Sequence, residues 1–172
     1  MTGILRFVGI VNAAVWCGSS IFMLVALPAL FSPELKRLLT TPGVGFAAES
    51  IVARYFILQY WCGGIALVHL LAEWFYNGRP LWRLNLGLLI FVLSLGLAGG
   101  LWAQPKMRAL HVAKYFGKTS DQQAQAGKSF AAWHSASETA NLLVIVGLAC
   151  YLWRVSRAQD PQRFVSFSKI RG

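Results

Sequence analysis

The stretch FVGIVNAAVWCGSSIFMLVALPALF, from Phe7 to Phe31, holds no charged side chain, and its reading decides the fold. A helix needs roughly 20 apolar residues to cross about 30 Å of hydrocarbon, and this run exceeds that. Two more stretches are equally free of charge, Tyr55 to Ala72 and Leu84 to Pro105. A fourth, Ser129 to Trp153, carries Glu138 as its one acidic interruption. With Pro33 closing the first interval, the four take up more than half of the 172 residues. The expectation is an all-α, integral membrane four-helix up-and-down bundle, with spans at about 7–31, 50–76, 81–103 and 129–153. One transmembrane domain, 1–155, is followed by a basic membrane-surface tail, 156–172.

Composition agrees. The chain is 56% hydrophobic and only 13% charged, with seven Trp and sixteen Gly. A soluble core of this size has no use for so much apolar surface. The formal charge of +10 does not indicate nucleic acid, because Lys and Arg sit in the connections and the tail, with no stripe along a soluble domain. The lipid bilayer is the expected partner, with anionic headgroups as the counter-charge, above all at the tail, which carries Phe164, Val165 and Phe167 among its cations Arg163, Lys169 and Arg171. Cys17, Cys62 and Cys150 fall inside apolar stretches without CxxC spacing, so they read as buried thiols. The first span is expected to be retained. It is longer than a signal-peptide core, is broken by Asn12, and lacks a small-x-small cleavage site.

Pro28 should kink the end of the first span, and Ser32 with Pro33 should stop it. The turn signal Asn77, Gly78, Arg79, Pro80 ends the second. Gln104 to Lys128 is too polar to span. Within it Met107, Leu110, His111, Lys114 and Tyr115 have helical spacing, and Lys118 to Gly127 reads as a solvated loop. Orientation rests on Lys and Arg near the span ends. Arg6, Arg79, Arg83, Arg154, Arg157, Arg163, Lys169 and Arg171 lie on one side. Lys36, Arg37, Arg54, Lys106, Arg108, Lys114, Lys118 and Lys128 lie on the other, part of them spread over a long loop. The closer packing of the first set predicts both termini on the cytoplasmic face of a cell membrane, a bacterial inner membrane.

Polar side chains inside apolar spans are the informative ones, because an ionised group near the bilayer centre costs about 2.5–3.5 kcal/mol on insertion scales. His134, Ser137, Glu138 and Asn141 are spaced to share one helix face. Asn141 should meet Ser19 and Ser20 of the first span. Arg54 and Gln59 belong to the same half of the membrane, and an Arg54–Glu138 ion pair is the cheapest partner for the carboxylate. This cluster of Arg54, Gln59, His134, Ser137, Glu138 and Asn141 either glues helices together or binds a small polar solute. His69 and Glu73 repeat the His-x-x-x-Glu spacing but lie at the opposite face, so no shared metal site is expected, and His69 reads as an interfacial anchor beside Trp74. Haem b is the alternative, with His111 and His134 as the candidate axial ligands. Gly96 and Gly100 form a GxxxG pair, and Gly63 with Gly64 marks a second small face. Either the bundle or a contact with another protomer or membrane subunit uses them. No serine or aspartate pair occupies a span; Asp121 and Asp160 are in connections, and no enzyme activity is expected.

Several of these segments resemble a family of small four-helix membrane proteins that includes transmembrane protein 205, whose bacterial members carry a domain of unknown function. They are Trp16 to Phe22, Pro28 to Phe31, Arg54 to Phe56, Pro105 to Arg108, Phe130 to Ser137 and Asn141 to Leu143. The resemblance spans about residues 5–155. Glu49 and Ser50 stand where Gly is usual in the family, and the polar stretch before the fourth span departs from it. The resemblance implies a multi-pass protein without established activity, and association of eukaryotic members with tolerance of platinum drugs points to export or trafficking. A more distant likeness to copper-resistance and haem-linked membrane proteins lacks their His in the first span.

Overall fold

Apolar chain in a bilayer must satisfy its backbone internally, and this sequence does so with helices. The structure is a computed structural model that describes residues 2–77 and 83–157. Its elements are α1 (Thr2–Leu30), α2 (Pro33–Asn77), α3 (Arg83–Ala98), a π turn (Gly99–Ala103), α4 (Gln104–Phe116) and α5 (Ser120–Ser156). No strand occurs among the described residues. The turn expected after Asn77 and most of the basic tail lie outside them.

α3, the π turn and α4 run on without interruption, which leaves four helical rods. All four are long and apolar enough to cross a membrane: Gly3–Leu30, Pro33–Phe75, Arg83–Phe116 and Ser120–Ser156. Their surfaces fit that reading. Val8, Val11, Val15, Phe22 and Val25 of α1 face outward, as do Trp61, Val68 and Phe75 of α2, while Asn12, Ser20, Gln59 and His69 are buried. Apolar residues outside and polar residues inside suit a lipid solvent. The chain is therefore a multi-pass, membrane-embedded helical protein.

α1 packs on α2 and α5, and α3 packs on the same two. Small residues set the close approaches. A Cβ on Gly63 would run into Leu93 of α3 and come within 3.3 Å of Trp16 of α1. A Cβ on Gly96 would lie 2.9 Å from Gln59 Oε1, and Gly99 and Gly100 sit under Phe56 and Tyr60. Gly64 is different: a Cβ there meets nothing within 4 Å among the described residues. Trp16, Leu89, Val92 and Leu148 fill the centre. Cys17 and Cys62 are buried free thiols, whereas Cys150 is exposed on the outer surface.

Helical structure reaches well beyond the apolar spans. α2 was expected from near Ser50, yet helix begins at Pro33, breaks at Thr40 (φ 61°, ψ 161°) and resumes at once. Pro42 belongs to the first turn after the break, where a missing N–H costs nothing. Pro105 was expected to follow the end of a helix. Instead the chain widens into the π turn, in which Gln104 N–H reaches back to Gly99 O, and α4 starts directly. The widened turn accommodates the clash between a proline ring and the preceding turn of helix. The expected loop from Lys118 to Gly127 is mostly the first turns of α5. Thr119 caps it by accepting from Gln122 N–H at 3.3 Å, the T-x-x-Q half of a capping box, with Asp121 in the first turn.

At 1.5 Å per residue the 37 residues of α5 measure about 55 Å, far more than a 30 Å hydrocarbon core. The early part of α2, all of α4 and the early part of α5 extend together past the end of α1. Val44, Ala48, His111 and Ala126 form the buried centre of this extension.

Candidate functional site

Where α1 ends and the extension begins, the helices enclose a cavity of about 720 Å³. Its volume is typical of small-molecule sites, as is its lining, mostly apolar with a few polar groups. Every rod contributes to the wall.

The floor is a hydrogen-bonded layer at mid-depth. The Tyr55 hydroxyl lies 3.0 Å from Ser20 Oγ and 3.1 Å from Asn141 Oδ1, so α2 is joined to α1 and α5. Gln59 Nε2 donates to the same hydroxyl, and Gln59 Oε1 rests against Gly96 of α3. Ser20 gives its own proton to Trp16 O at 2.9 Å, so the single Tyr55 proton is shared between the two acceptors Ser20 Oγ and Asn141 Oδ1. The meeting of Asn141 with α1 that its depth predicts is thus made through Tyr55 and Ser20. Ser19 donates to Trp16 O on its own helix.

Higher up the wall stand Ser137, whose hydroxyl is 3.5 Å from Met107 Sδ, and the pair His134 and Glu138, Nε2 to Oε1 3.2 Å. Both members of that pair are about half exposed, with side-chain exposures of 52% and 57%. The rim also carries Glu49 and Arg108, 3.0 Å apart and linking α2 to α4. Lys36 and Lys114 complete it.

Gln59, His134, Ser137, Glu138 and Asn141 therefore all line one cavity, and Arg54 does not. The expected Arg54–Glu138 ion pair is absent, and Glu138 pairs with His134 on its own helix. The cause is facing: Arg54 precedes Tyr55 by one residue, about 100° around the helix, and is turned outward while Tyr55 and Gln59 turn in. Tyr55 was the residue missed. Its i, i+4 relation to Gln59 puts the two on one face and was the available signal.

His69 is not an exposed interfacial anchor. It is buried against Gly9 of α1, where a Cβ would overlap the ring, and lies 4.0 Å from Glu73. Neither of its nitrogens has a hydrogen-bond partner among the described residues. His111 repeats this arrangement against Gly45, with Phe46 and Tyr115 edge-on at 5.0 Å. His111 and His134, the candidate haem ligands, do line the same cavity, but the Phe130 ring stands with its centroid 5.9 Å from one and 6.0 Å from the other. No group of three or more His, Cys, Asp or Glu able to hold a metal occurs among the described residues.

Fold and cavity together define a multi-pass helical membrane protein with an internal pocket. Residues 11–115 match the family described as Domain of unknown function (DUF4149), and the chain belongs to that family. No curated protein and no solved structure matches it. The matched stretch runs from α1 into α4, so α5, which supplies His134, Ser137, Glu138 and Asn141, lies beyond it.

Proposed function

We propose that the protein is a non-enzymatic, up-and-down four-helix bundle of a bacterial inner membrane, with both termini cytoplasmic, that binds a small solute in its interior cavity as part of transport or tolerance. The carrying observation is the floor at Tyr55, where side chains of α1, α2 and α5 converge beneath a space of about 720 Å³. Helix glue alone needs scattered pairs and no space above them. The resemblance to the family that includes transmembrane protein 205 supports the same reading. Gly64, open on the outer surface, is the proposed contact for a second copy or a membrane partner, and the basic tail is proposed to rest on anionic lipid.

Native mass spectrometry of protein released gently from its membrane tests the proposal. One bound species per chain is expected, and it should be lost from Ala140→Phe, which fills the cavity without removing a hydrogen bond of the floor. An unloaded wild-type protein, or one whose adduct survives in Ala140→Phe, refutes it. Haem b on His111 and His134 is the competing reading. A Soret band from cells supplied with haem would establish it, against the weight of the Phe130 ring packed against both imidazoles.

A further inference from the structure

We infer that the occupant of the cavity is an anionic phospholipid drawn from the surrounding bilayer, its phosphate at the level where α1 ends and its acyl chain lying inside. The inference rests on the proposed binding role of the cavity and names its ligand class. Three cations, Lys36, Arg108 and Lys114, and two carboxylates, Glu49 and Glu138, stand around the mouth. Arg108 is taken up by Glu49 and Glu138 by His134. That leaves Lys36 and Lys114, neither of which is in an ion pair among the described residues. Lys36 Nζ is 6.0 Å from the Phe31 ring centroid, and Lys114 Nζ is 5.1 Å from that of Tyr115 and 5.6 Å from that of Phe130. Three cations against two carboxylates leave the mouth with one net positive charge, and both lysines stand outside any ion pair among the described residues.

His111, one turn before Lys114, lines the same wall. It is 7% exposed, and its Nδ1 is fully buried with no hydrogen-bond partner among the described residues.

Below these groups the lining is of another kind. Leu24, Leu27, Phe31, Val52, Phe56 and Trp102 make an apolar wall. Phe31 and Trp102 are also exposed on the outer surface, at 38% and 65%, so that wall continues into the lipid-facing side of the bundle. Charge sits at the depth of α1's last turn, and an apolar wall separates it from the hydrogen-bonded floor at Tyr55, an order that suits the headgroup and upper acyl chain of a bilayer lipid. A free inorganic anion would leave the apolar wall uncovered. A neutral amphiphile would leave the two lysines uncompensated.

The test uses the full chain, delipidated in a neutral detergent and offered vesicles of phosphatidylglycerol or of phosphatidylcholine with matched acyl chains. Retained lipid is counted by native mass spectrometry. Phosphatidylglycerol should be preferred, and the preference should fall about fivefold for each lysine removed, in Lys36→Gln and in Lys36→Gln/Lys114→Gln. Lys36 is exposed, so its single variant reads the effect without disturbing the fold. Equal retention of the two lipids, or a preference unchanged in both variants, overturns the headgroup inference and leaves the cavity reading standing. Displacement of the lipid by inorganic phosphate alone assigns the site to a free anion and overturns it too. Retention of neither lipid removes the inference and counts against the binding reading itself.

Discussion

Replacing Gly63 and Gly64 by alanine, one at a time, applies the same chemistry to adjacent residues of α2 with opposite surroundings. In a helix interior, Gly→Ala is worth about 0.8–1 kcal/mol of stability from backbone propensity, and both variants receive that. At Gly64 the new methyl meets nothing within 4 Å, so the gain stands alone. At Gly63 the methyl runs into the Leu93 side chain and lies 3.3 Å from Trp16. Trp16 is 1% exposed and cannot retreat, and overpacking of this kind costs about 1–3 kcal/mol. Gly63→Ala should therefore be neutral to about 2 kcal/mol destabilising, and the two variants should differ by about 1–3 kcal/mol. Unfolding followed by helical circular dichroism in a single detergent measures the difference. Equal shifts in both variants would refute the assigned α1–α2–α3 packing. A loss confined to Gly64→Ala would place that residue against a helix from outside the chain.

Thr40 holds φ at 61°, a region costly for a β-branched residue by about 1–3 kcal/mol. Thr40→Gly should relieve that at a backbone-entropy cost of about 0.5–1 kcal/mol and leave the unfolding midpoint unchanged or raised. Thr119→Ala removes the cap of α5 and should cost about 1 kcal/mol, with hydrogen exchange rising first at Ser120 to Gln123. Glu49→Gln breaks a pair whose Arg108 side chain is 69% exposed, so its effect on the midpoint should stay below about 1 kcal/mol and vanish in high salt.

Apolar length made the four spans legible, and depth along the helices put Asn141 level with Ser20, though Tyr55 stands between them and Ser19 bonds to Trp16 O instead. Facing was harder to read. Arg54 and Tyr55 share a depth, and only the direction each takes around α2 separates an outward cation from the centre of the floor. The extensions were hidden for another reason. Thr41–Pro42 and Thr119 to Gln122 are helix-start signals standing in polar sequence, where hydropathy has nothing to add. At Pro105 a breaker met a π turn, which has no composition of its own. The salt bridge between Glu49 and Arg108 joins residues far apart in the chain, and no local pattern announces it.

α5 also imposes an order on assembly. As the chain is synthesised, α1 and α2 enter the membrane first and can join as a hairpin, through Asn12 Nδ2 donating to Cys62 O at 2.8 Å and through Tyr55 and Ser20. α3 can then close on the glycines. Asn141 arrives last, and until it does the floor lacks its fourth side and the cavity has no outer wall. A nascent chain halted before α5 would present an open polar seam to lipid, a natural mark for quality-control proteases.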